Sequence, residues 1–233
     1  MRIDPMSTIL PTEEMLLKSD ECKIRTAENQ RIRSLRWIYD SWLSTHGEIT
    51  AANWIDKEGK IVSMIKNFGA RADYIVVGQP EEHAERAESE ALHTALFKSN
   101  RPVLMMPRKV RSQFGKCIVI AWRDDKFTRR ALFASIRVAS RAEQIHILIG
   151  RRRKGKSPRL PEILFEHGIN ATARELALRD GAFGAQLLAT AHEVKVDLLV
   201  MGAFVHSTWH NMLFGGVTKH ILSHADIPVL LHH

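Results

Sequence analysis

Short, mainly apolar runs alternate with longer amphipathic ones along the second half of the chain. CIVIAW (117–122), IHILIG (145–150) and DLLVMG (197–202) are rich in aliphatic residues and bounded by charge or turn residues. Such runs suit strands buried on both faces. DKFTRRALFASIRVASR, between the first two, places its apolar residues at helical spacing. PEILFEHG predicts a helix ended by Gly168, and ATARELAL (171–178) predicts a strand. Asp180 is a candidate N-cap for a helix through Val194, 215–224 reads as a helix, and PVLL (228–231) as a last strand. This alternation predicts an α/β fold with a parallel sheet and helices on both faces.

The first half repeats part of this order. ADYIVVGQP (72–80) parallels VDLLVMGAF (196–204), and SNRPVLMMP (99–107) parallels ADIPVLLHH (225–233). Gly78 and Gly202 are 124 residues apart, as are Asp56 and Asp180; Pro102 and Pro228 are 126 apart. Four matches in register predict two similar repeats, each an open, mostly parallel five-stranded sheet. Strands are expected near Ile49–Ile55, at Tyr74–Gly78 and at Val103–Met106, with a helix over 22–45. The counterpart of the 117–122 strand would precede residue 1, so the N-terminal repeat is read as lacking its first strand, through loss or an upstream start. The resulting division is 1–107, a degenerate repeat; 108–115, a basic linker; and 116–233, a complete domain.

The net charge of +8 resides in two segments. RKVRSQFGK (108–116) holds four cations and RRRKGKSPR (151–159) six, neither with an acid, so the remainder is slightly acidic. Nucleic acid is therefore not an expected partner, because a binding face would spread its cations over a surface. No apolar run is long enough to span a membrane. Two lone cysteines, Cys22 and Cys117, and an N-terminus without a signal pattern point to the cytoplasm. Trp37, Trp42 and Trp54 lie among Arg31, Arg33 and Arg36, but the spacing of Leu35, Ile38, Trp42 and Leu43 reads as a packed helix face rather than a base-stacking platform. His220 and His224 stand four apart without a convergent third ligand, so no metal site is expected beyond nucleotide-associated Mg. Ser207 lacks a nucleophile elbow, and no catalytic set is assembled.

The chemistry concentrates in GAFVHSTWHNMLFGGVT (202–218), which leaves a strand, contains no acid and opens a helix at Gly215, Gly216, Val217 and Thr218. Glycine backbone beside a helix N-terminus suits an anion. Residues 116–233 resemble a universal stress protein domain. That family carries glycine, two residues, glycine, nine residues, glycine and Ser or Thr. Gly202 and Gly215 match; Val205 and Gly216 replace the second glycine and the hydroxyl residue, with Thr218 nearby. The family's Asp at the end of the first strand is matched by Arg123, with Asp124 one step later. The resemblance implies a regulatory, stress-response role without evident turnover. It implies an adenine nucleotide, ATP or AMP, with phosphates on backbone groups near Gly202, Val205, Gly215 and Gly216, Thr218 donating its hydroxyl, His206 and Ser207 in the same loop, and adenosine near Ala121, Trp122 and Arg123. The alternatives are a protein-interaction module without a small ligand and a slow nucleotide hydrolase on the same site. It also implies that the two terminal strands pair as an intramolecular pseudo-dimer, with Met105 and Met106 against Leu230 and Leu231, leaving surface for a homodimer.

Overall fold

The computed structural model describes residues 2–3, 18–46, 52–80, 86–109, 113–151, 159–177, 183–208, 211–214 and 216–233; at 2–3, 18–21, 24, 86, 205–208 and 211–214 it describes the backbone alone. In chain order the elements are β1 (Arg2–Ile3), α1 (Lys18–Thr45), β2 (Glu58–Gly59), α2 (Ile61–Gly69), β3 (Ile75–Gly78), α3 (Arg86–Lys98) and β4 (Val103–Met106). There follow β5 (Cys117–Trp122), α4 (Lys126–Ala139), β6 (Gln144–Arg151), α5 (Glu162–Glu166), β7 (Thr172–Ala177), α6 (Phe183–Glu193) and β8 (Leu198–Gly202). β9 (Val205–Thr208), β10 (Asn211–Phe214), α7 (Gly216–His224) and β11 (Val229–His232) complete the chain.

Seven strands form one open sheet in the order β3-β4-β11-β8-β5-β6-β7. Every neighbouring pair is parallel except β4–β11. The register follows the sequence offsets. Gly78 pairs with Met106 and Gly202 with His232, positions related by 124 and 126 residues. At the antiparallel seam Leu104 faces Leu230, also 126 apart, so each strand meets its own counterpart about a local twofold. Self-complementarity of this kind is what twofold pairing demands. Met105 lies opposite Val229, and Leu231 opposite Val103.

Local chemistry sets the element ends. Asp125 caps α4, its Oδ1 accepting from the Phe127 and Thr128 amides at 3.0 Å each. Gly168 ends α5 at φ +66°, a left-handed conformation that glycine adopts without steric penalty. The buried Asp197 carboxylate accepts from the Lys116 amide (2.9 Å) and the Cys117 amide (3.2 Å), which fixes the start of β5 beside β8. One core layer joins α3, α6 and α7 to one face of the sheet through Leu96, Met105, Leu187, Leu199 and Ile221. The other joins α4 and α5 to the opposite face through Ile120, Leu132, Ile147 and Leu164.

The N-terminal half differs from expectation in two places. It supplies two strands to the sheet, β3 and β4. The strand expected near 49–55 is irregular over 52–55, and its first residues lie outside the described ones. Trp54 packs against Tyr39 of α1 (ring centroids 5.4 Å apart), and the Tyr39 hydroxyl donates to the Ala52 carbonyl at 2.8 Å, so this segment satisfies α1 rather than a sheet. The apolar side of α1 is packed only in part: Ile32 is buried, whereas Trp37 is 72% and Ile38 56% exposed. α2 and α3 lie on one face of β3–β4, and the exposed stripe of α1 packs on neither face. Asp180 and part of the basic linker lie outside the described residues.

Candidate functional site

The carboxyl ends of β5 and β8 meet where the strand order reverses, the usual ligand crevice of an open parallel sheet. Gly202 ends β8 there against the first turn of α4. A Cβ at this position would stand 2.8 Å from both the Thr128 amide nitrogen and Oγ1, and 3.0 Å from Phe127 Cβ. Gly202 is thus a packing glycine, needed for close approach of strand and helix. The following residues form a hairpin in which Val205 pairs with Phe214, His206 with Leu213 and Ser207 with Met212. Val205 lies in a strand, so no positive φ is asked of its β-branched side chain. Gly215 lies outside the described residues. Gly216 opens α7, and a Cβ there would meet nothing within 4 Å.

Thr218 is buried, and its hydroxyl oxygen accepts from the Phe204 amide at 3.2 Å, bracing the strand exit on α7. Val217 packs on the adjoining core. Ala121 lies within β5 opposite Leu148 and Met201, while the buried Trp122 donates its indole N–H to the Arg159 carbonyl at 2.7 Å. The Arg123 guanidinium lies 3.2 Å from Asp125 Oδ2 and 4.6 Å from the Phe204 ring centroid. Asp124 is engaged by Arg129. The two acids after β5 are therefore committed to a helix cap and an ion pair, and Arg123 covers an aromatic face.

Sequence reasoning missed an aromatic plug at this crevice. His233 stacks on Phe127 at 4.3 Å, Phe204 meets the Phe127 edge-on at 5.5 Å, and Phe97 from the N-terminal half meets His233 at 4.9 Å. His233 Nδ1 is 3.0 Å from the Ala203 carbonyl, and Arg130 donates to the His233 oxygen at 3.2 Å. The signal was present: a Phe two residues after Gly202, a Phe two residues after the Asp pair, and a terminal histidine pair, all at the ends of predicted strands. Burial holds His232 below its usual range. His220 and His224 stack at 4.2 Å, and burial, then the neighbouring ring, lowers the His220 pKa. Among the described residues no group of three His, Cys, Asp or Glu side chains converges as a metal site.

Residues 128–233 match the universal stress protein family. That match lies wholly in the C-terminal half. Solved structures extend the likeness of fold beyond it. A universal stress protein from Archaeoglobus fulgidus DSM 4304 superposes with a TM-score of 0.69 at 16% identity, covering 95% of this chain and 84% of its own. A functionally unknown protein from Pseudomonas aeruginosa PAO1 gives 0.55 at 15% identity, covering 94% and 79%. Another P. aeruginosa protein, from strain UCBPP-PA14, gives 0.57 at 14% identity, covering 84% and 77%. No curated protein matches the chain. Among the described residues no helix is long and apolar enough to cross a membrane.

Proposed function

We propose that this chain is a universal-stress-type regulatory protein that acts through protein contacts, its C-terminal crevice serving as scaffold. The observation that carries this reading is the plug of Phe127, Phe204 and His233 at the meeting of β5, β8 and β11. Aromatic rings and an engaged Arg123 fill ground that the resemblance gave to a nucleotide. The remaining signature positions serve packing: Gly202 admits α4, and Thr218 braces Phe204. The universal stress protein domain and fold support a stress-response type of role. We read 1–107 as a shortened repeat joined by a linker at 108–115 to the complete domain at 116–233; the Leu104–Leu230 twofold supports this tandem arrangement.

The test is to denature freshly purified protein and identify released nucleotide by chromatography and mass, then titrate ATP and AMP calorimetrically. An empty protein without binding heat is the expected result. Stoichiometric adenine nucleotide, lost in Gly215→Trp, would overturn it. That outcome is the second reading, nucleotide binding with associated Mg, and one observation favours it: Gly216 opens onto free space at a helix N-terminus. Phosphate release proportional to protein and abolished by Gly215→Trp would extend the second reading to a slow hydrolase.

A further inference from the structure

Among the described residues, helices of the C-terminal half pack on both faces of its sheet, whereas those of the N-terminal half pack on one. Ile75, Val77, Val103 and Met105 pack toward α3, α6 and α7. Leu104 packs toward the α4 layer. Alternation along the strands puts Val76, 62% exposed, on that same side. Tyr74 donates its hydroxyl to the Ala134 carbonyl, so this bare face borders α4. Beside it opens a cleft of about 1410 Å³, lined in part by Tyr74, Pro102, Phe133 and Ile136. Phe133 is 69% exposed.

Among the described residues, α1 carries an exposed apolar stripe. Leu35, Ile38 and Trp42 follow one another at helical spacing, Trp37 flanks them, and all four are exposed. The flanking charges pair on the helix itself, Arg31 with Glu28 and Arg36 with Asp40, so docking this stripe strands neither pair. Displaced by 124 residues, 38–42 falls on 162–166, which is α5, the helix that helps to cover the corresponding side of the C-terminal sheet. Sequence position therefore marks α1 as the cover for this face. Its attachment marks the copy: Tyr39 bonds to Ala52 and stacks near Trp54, with Arg36 over both rings, and this holds α1 to the connector entering α2. α2 in turn packs on the far side of the sheet through Ile65.

We propose that α1 of one copy lies on the bare β3–β4 face of a second copy, reciprocally, making a closed twofold dimer distinct from the β4–β11 seam. Covering the four α1 side chains together with Tyr74, Val76 and Phe133 removes roughly 800 Å² per contact, and the two contacts together reach about 1,600 Å², the size of a stable interface. This inference is independent of whether the crevice takes a nucleotide.

Light scattering coupled to size exclusion, with the full chain at micromolar concentration, tests it. Wild type is expected to be a dimer. Ile38→Asp and Val76→Asp, both at positions more than half exposed in the single copy, are each expected to weaken dimerisation about a hundredfold, with unchanged circular dichroism. Mixing the two variants leaves one intact helix facing one intact groove, so a heterodimer returns. Three results overturn the proposal: a monomeric wild type, a dimer that survives both substitutions, or no recovery on mixing. A monomer whose tryptophan emission shifts to the red in Val76→Asp would show that α1 covers its own sheet instead.

Discussion

If Gly202 is a packing glycine, a single methyl group there has a calculable effect. In Gly202→Ala the new Cβ falls 2.8 Å from the Thr128 amide nitrogen. That atom is backbone and is held by Asp125 Oδ1, so it cannot swing aside like the end of a long side chain. The first turn of α4 must shift, with its cap and the Phe127–His233 stack. Overpacking of this kind costs about 1–3 kcal/mol. For a chain of this size, about 2 kcal/mol lowers Tm by roughly 4–8 °C. Gly216→Ala makes the internal contrast, because its Cβ meets nothing within 4 Å and the residue opens a helix. Relief of unfolded-state entropy there stabilises by about 0.4–1 kcal/mol. Two glycines of one signature thus respond with opposite signs. Thr128→Ala in the Gly202→Ala background removes the Oγ1 clash but keeps the amide clash, so a double-mutant cycle recovers part of the loss. Urea and thermal unfolding of wild type, the three single variants and the double variant provide the measurement. A Gly202→Ala protein as stable as wild type would refute the packing account and return Gly202 to a ligand role.

Three further outcomes follow from the same contacts. Asp197→Ala strips a charged acceptor from two backbone donors and should destabilise by about 3 kcal/mol in urea unfolding; a loss below about 1 kcal/mol would mean that water replaces the carboxylate. Burial, and then the Asp197 charge, push the Cys117 thiol up, so at pH 8 a disulfide reagent should label the exposed Cys22 fast and Cys117 slowly, with Cys117 faster in Asp197→Ala; equal rates in wild type would contradict this. His232 is held below its usual 6.5, chiefly by burial, so the unfolded chain takes up protons first as pH falls; stability is then present above pH 6.5 and declines below it, toward the lower folded-state value. His232→Gln should flatten the fall in Tm between pH 7 and 5, and an unchanged slope would point to other groups.

The sheet was legible because β5, β6, β8 and β11 are largely apolar runs, and the seam because the family resemblance implies pairing of PVLMMP with PVLL. The short α5 was legible from Gly168, whose positive φ few other residues adopt readily. The hairpin after Gly202 was not. Glycine spacing marks how long a loop is, whereas VHST and NMLF pair through backbone groups that carry no sequence label. The aromatic plug escaped for a similar reason: Phe97, Phe127, Phe204 and His233 come from four segments, and only the fold brings their rings within contact distance. The helical period of α1 was plain, but periodicity identifies the apolar side of a helix without saying what lies opposite it.

That last gap links the fold to association. A free edge at β11 would invite pairing with another chain, since an unpaired strand presents a row of donors and acceptors. β4 occupies that edge from within the same chain, and the Leu104–Leu230 twofold leaves no room for a second partner on it. A chain that closes its own seam must self-associate elsewhere if it does so at all. Two strands in the N-terminal half suffice to close the seam, but among the described residues they bring helices to one face only. The bare face around Val76 and the bare stripe around Ile38 are therefore two consequences of one economy: strands needed for the seam are present, and the layer that would separate α1 from solvent is not. Hydrophobic surface left on both sides of such a gap is driven out of water in proportion to its area, and reciprocal exchange between two copies buries both at once.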